Sequence, residues 1–161
     1  MMDATRGTAV AVGTLIVVTA LVSGPLVPGI TFTNTQPTYG EGTATVDSVE
    51  FPERATIERG GFGSGSNYLV VPPATVRFET FEGAPVLTYK IAVPELNYSR
   101  GTTHFLGPET GTRYDATLQS DSLTGVPSQT TEFDATLSIW LEDSDGRERV
   151  ATQNTTIEVV E

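Results

Sequence analysis

The amino-acid sequence predicts an all-β fold, an antiparallel sandwich of seven or eight strands preceded by one transmembrane helix. Three observations predict it. Residues 7–30 carry no charge, as a lipid-embedded helix requires. From Thr43 onward apolar residues alternate at a period of two with no 3.6-residue stripe, the pattern of half-buried strands. Gly, Pro and Asp clusters interrupt the alternating runs at short intervals, as hairpin connections do.

The first element is a polar tip, residues 1–6, followed by the apolar segment 7–30. Residues 7–23 would span roughly 26 Å as helix at ~1.5 Å per residue, close to a hydrocarbon core. Pro28 and Gly29 end any continuation. Arg6 and the amino terminus are the only positive charges nearby, so the N-terminus is expected in the cytoplasm and the remainder outside. Membrane lipid is thus an expected partner of residues 7–30. The length fits an uncleaved anchor better than a cleaved secretory signal, for which Val22-Ser23-Gly24 is a poor site. Residues 31–42 are polar and extended and are expected to be a spacer, with the domain at 43–161.

Arg6-Gly7 followed by Gly13-Thr14-Leu15-Ile16-Val17-Val18 resembles the start of archaellins and related type IV pilin-like proteins. The resemblance implies a junction cleaved after the basic residue and glycine, and a helix that packs into a filament. Pro25 and Pro28 depart from it, since they interrupt the long continuous helix that such packing needs.

Within the domain, Val49 and Phe51 close a first strand at Pro52-Glu53, and Ala55 and Ile57 mark the next. Residues 60–66 hold four glycines and form a loop; they follow no Rossmann-type strand and open no helix, so a phosphate cradle is not expected. Tyr68 and Val70 lead into Pro72-Pro73, where a ladder stops for lack of donors. Val76 and Phe78 follow, and Glu82-Gly83 is expected to turn the chain. Leu87, Tyr89, Ile91 and Val93 share one face, with Thr88 and Lys90 opposite. After a segment broken by Pro and Gly, Tyr114, Ala116 and Leu118 alternate. Phe133, Ala135, Leu137, Ile139 and Leu141 form the clearest strand, and Asp143-Ser144-Asp145-Gly146 closes a hairpin onto the last one.

This closing pair, Leu137 to Ile157 around an Asp-Gly turn, resembles immunoglobulin-like and fibronectin-type-III-like modules. Gly111-Thr112-Arg113-Tyr114 before a strand is similar to their tyrosine corner. The resemblance implies an Ig-like sandwich and no particular activity.

Few residues carry chemistry. His104 is the sole histidine and sits in no nucleophile motif, so it is expected to be a loop or surface residue. Glu142, Asp143 and Asp145 lack the further ligands of a calcium loop and read as a turn. Asn97-Tyr98-Ser99 and Asn154-Thr155-Thr156 are acceptor sequences for N-glycosylation. Phe62, in the glycine loop, is a candidate contact residue. Trp140 falls on the face opposite Ile139 and Leu141; it is either a contact residue or buried because both faces of a central strand are covered.

Composition bounds the rest. Twenty acidic residues oppose nine basic ones, for a net charge of −11, and there is no cysteine. Disulfides and thiol chemistry are therefore excluded. Nucleic acid is not an expected partner of so acidic a domain. With one Trp and no catalytic motif, the expected function is a non-enzymatic envelope or interaction module without cofactor, facing other envelope proteins. The alternatives are a pilin- or archaellum-type filament subunit, and a secreted binding protein or hydrolase with a cleaved signal.

Lys90 is the only lysine against eight arginines, and threonine occurs 26 times. This composition resembles that of haloarchaeal proteins. Carboxylate repulsion is screened over only ~3 Å at 1 M salt. The domain is accordingly expected to lose circular-dichroism structure as salt falls below ~1 M. Spectra unchanged in dilute buffer would count against that solvation.

Overall fold

The strongest alternation in the chain lies at the centre of the larger of two sheets. In the computed structural model, which describes residues 38–60 and 66–160, ten strands are present among the described residues. They are β1 (Glu41–Glu50), β2 (Arg54–Arg59), β3 (Asn67–Val70), β4 (Ala74–Ala84), β5 (Val86–Val93), β6 (Tyr98–Phe105), β7 (Arg113–Ala116), β8 (Asp121–Leu123), β9 (Glu132–Asp143) and β10 (Gly146–Val160). A three-stranded sheet has the order β1-β4-β7, and a seven-stranded sheet the order β6-β5-β9-β10-β2-β3-β8. Both contribute to one apolar core, an arrangement consistent with a β-sandwich. Residues 7–30, expected to cross a membrane, lie outside the described residues, and so does Phe62. No helix among the described residues is long and apolar enough to cross a membrane.

The core is built where the alternation predicts it. Leu87, Tyr89, Ile91 and Val93 of β5 are buried, as are Phe133, Ala135, Leu137, Ile139 and Leu141 of β9. The two strands pair antiparallel with Leu87 beside Leu141, Tyr89 beside Ile139 and Ile91 beside Leu137. Ala74, Val76 and Phe78 of β4 and Ala116 of β7 close the core from the smaller sheet. Fully burying each large aliphatic side chain is worth about 1.5–3 kcal/mol. The Tyr89 hydroxyl stays satisfied inside by donating to the Pro72 carbonyl at 3.4 Å.

Four expectations are corrected. The strands number ten, because β6 and β8 carry no apolar alternation that would announce them. The pairing is not wholly antiparallel: the end of β10 runs parallel to β2, with Ile157 beside Ala55 and Val159 beside Ile57. On β3 the inward residue is Leu69, while Tyr68 and Val70 face solvent. Finally, Glu82-Gly83 does not turn the chain. β4 continues to Ala84, and Pro85 separates it from β5 in the other sheet.

Gly83 has a different purpose. It pairs with Gly42 across the β1–β4 ladder, and its φ is +79°. A Cβ built on Gly83 would lie 2.6 Å from the Gly42 Cα, so the two backbones approach where no side chain fits. The first strand thereby begins at Glu41, within the segment read as spacer. Gly111 also has positive φ, +68°, but open space around it. Gly83→Ala is expected to cost about 1–3 kcal/mol in urea denaturation, and Gly111→Ala clearly less. Equal losses would show that crowding between β1 and β4 is not what requires the glycine.

Candidate contact face

With the inward residues of β5 and β9 set, the period of two sends their neighbours to the outer face of the larger sheet. Trp140 is one of them. It is half-buried, so the structure decides for neither extreme of the sequence reading. Its indole Nε1 donates to the Ser138 hydroxyl at 3.2 Å. The guanidinium carbons of Arg147 and Arg149 stand 5.4 and 5.7 Å from the ring centroid. Such cation–π contacts contribute about 0.5–1 kcal/mol each at exposed sites. They come from the hairpin: β10 returns along β9 with Arg149 beside Trp140 and Arg147 beside Glu142.

The hairpin that delivers these arginines is held by its own carboxylate. Asp143 accepts from the Asp145 amide at 2.9 Å and from the Ala44 amide of β1 at 3.3 Å. Ser144 exchanges bonds with Gly42, its amide donating to the Gly42 carbonyl and its hydroxyl accepting from the Gly42 amide. Gly146, with φ of +123°, supplies the left-handed position of the turn. Asp143 is thus committed to structure, in keeping with the turn reading of the acidic cluster. Among the described residues no group of three or more His, Asp or Glu could hold a metal ion.

Of the glycosylation acceptors, Asn97 is exposed in the turn between β5 and β6, with φ of +47°. Asn154 is exposed within β10, where its side-chain oxygen accepts from Thr136 at 3.2 Å. Asn154 shares the outer face with Trp140, whereas Asn97 lies at the end of the β5–β6 hairpin.

A second polar constellation escaped the sequence reading altogether. β6 and β8 are the opposite edges of the larger sheet, yet they meet through side chains. Tyr98 donates to Asp121 at 3.1 Å, and Arg100 Nη1 forms an ion pair with the same carboxylate at 2.6 Å. Thr102 accepts from the Gln119 amide, and His104 Nε2 bonds the Thr117 carbonyl at 2.9 Å. Four alternate residues of β6 therefore grip residues 117–121 in antiparallel order. The only signal for this in the sequence is the period-two polar series Tyr98, Arg100, Thr102, His104. Burial, reinforced by Asp121, pushes the Tyr98 hydroxyl up to about 12. The hydrogen bond from Tyr98, with the Arg100 charge, holds Asp121 below the usual carboxylate range.

Comparison with known families, with curated proteins and with solved structures finds no match to this chain.

His104 ties this seam to pH. A carbonyl can only accept, so Nε2 carries the proton and Nδ1 accepts from the Tyr114 hydroxyl at 3.1 Å. Burial lowers the imidazole below its ordinary value of 6.5, against the pull of the Thr117 carbonyl. A group with depressed folded pKa stabilises the fold above its unfolded pKa, and that stability is lost as pH falls. Unfolding midpoints are therefore expected to drop between pH 7 and 5.5, and His104→Gln to flatten that dependence. A wild-type midpoint constant across this range would contradict the assignment.

Proposed function

We propose that the chain is a non-enzymatic interaction module of the cell envelope, its β-sheet head held outside the membrane by residues 7–30. The observation that carries this reading is the outer face around Trp140. A half-buried indole is set beneath two guanidiniums on adjacent interior strands of a sheet. Aromatic and Arg side chains grouped in this way are the usual anchors of contact surfaces. The uncharged segment before an acidic, cysteine-free head supports the placement outside, in a medium of high ionic strength. An Ig-like topology for the head, and its origin in a halophile, belong to the same proposal.

Arg6-Gly7 and the Gly13–Val18 stretch favour a second reading, a subunit of a pilin-like filament. One experiment separates the readings. Native protein extracted from membranes is measured by intact mass, and intact cells are treated with external protease. The anchored module is expected as a full-length species in the membrane fraction, with its head removed by protease from outside. Loss of the residues up to Gly7 would favour the filament subunit. Recovery of the chain from cytosol, protected from protease, would overturn both.

A further inference from the structure

The described basic residues divide into two groups. Arg54, Arg77, Arg100 and Arg113 form ion pairs with Glu158, Glu50, Asp121 and Asp115. Arg59 donates to the Ser128 and Thr130 carbonyls. Lys90, Arg147 and Arg149 have no carboxylate partner among the described residues, and all three lie on the same face.

The register shows how this happens. Across the sheet, Thr103, Thr88, Trp140 and Arg149 stand in one row, and Gly101, Lys90, Ser138 and Thr152 in the next. Lys90 and Arg149 flank β9, roughly 12 Å apart across two strand spacings and one row along the strands. Arg147 adds a third cation one pleat further along β10, and all three side chains are exposed. Glu142, beside Arg147 in register, makes no ion pair with it. Three cations without a carboxylate partner thus share one sheet face in a chain of net charge −11, with Glu142 the carboxylate beside them.

We infer that this face binds an anionic glycan, a polysaccharide bearing carboxylates or sulfates, which deepens the proposed interaction role and rests on it. The charge selects an anion. The surroundings of the cations select a hydrated polymer over a protein. Hydroxyls of Thr88, Thr103 and Thr152 occupy these rows around Trp140, whose ring lies beneath two guanidiniums, and Phe105 is exposed in the row of Arg147, so hydroxyls and aromatic faces stand together as a sugar chain requires. The acidic remainder repels a polyanion only over distances that salt screens, about 3 Å at 1 M, whereas direct contacts with the cations persist.

Trp140 is the only tryptophan of the chain, so its emission reports on this face alone. Full-length protein in mild detergent, at about 1 M salt and above, is titrated with polygalacturonate, dextran sulfate and neutral dextran, with folding checked by circular dichroism. Both acidic polymers are expected to change Trp140 emission saturably, with weaker binding as salt rises, and neutral dextran to do nothing. The double variant R147S/R149S should bind at least about tenfold more weakly, read by polymer sedimentation as well as fluorescence. Lys90→Ser should weaken binding without altering the indole environment, and Arg113→Ser, on the smaller sheet, should leave it unchanged. The inference is overturned if folded protein ignores both acidic polymers, if R147S/R149S binds as well as wild type, or if single-stranded DNA of equal charge competes equally. Self-association that buries Trp140, seen by light scattering, would assign the face to a second copy instead. Because cell location is measured independently, failure to bind by a protein that is surface-exposed sinks this inference and leaves the interaction role standing.

Discussion

The register of β5 against β9 is the constraint on which the rest of the molecule depends. Leu87, Tyr89 and Ile91 meet Leu141, Ile139 and Leu137 across the centre of the larger sheet, and all six are buried. A slip of one residue would send these side chains to solvent and bring Lys90 and Trp140 into the core, at a cost of many kcal/mol. The inward stripe therefore specifies the outward one. Lys90, Ser138 and Trp140 are where they are because their neighbours cannot be anywhere else.

The two faces of this sheet solve different problems. The inner face is filled with aliphatic groups from both sheets and one tyrosine whose hydroxyl finds a carbonyl. The outer face carries polar rows around Trp140, which is satisfied by Ser138 and covered in part by arginines, with Phe105 exposed toward one edge. The tight β9–β10 connection links the two, since Asp143 and Ser144 fasten the hairpin to β1 of the other sheet. Positioning of the contact face is in this way coupled to the packing of the sheets.

The edges of the larger sheet raise the usual hazard of unpaired backbone groups. Here Tyr98, Arg100, Thr102 and His104 of β6 reach residues 117–121, next to the opposite edge, with side-chain bonds in place of a backbone ladder. Such a seam is directional and titratable, unlike an aliphatic one. Its polar character also leaves the Arg100 Nε buried without a partner, the single such atom found among the described residues.

Local sequence determined the strands whose hidden face is apolar. The β5 and β9 stripes, the β9–β10 hairpin at Asp143–Gly146 and the outward position of Trp140 all follow from a period of two and turn chemistry, which are properties of neighbours in the chain. Tertiary structure alone decided the remainder. β6 hides polar groups, so hydropathy could not mark it. The parallel pairing of β10 with β2 joins segments about a hundred residues apart. Gly83 needs its missing side chain because of Gly42, not because of a turn. Lys90 lies some 57 residues before Arg147, and only the strand order β5-β9-β10 makes them neighbours on one face. Long-range pairing is settled by which faces bury best together, and no local pattern carries that information.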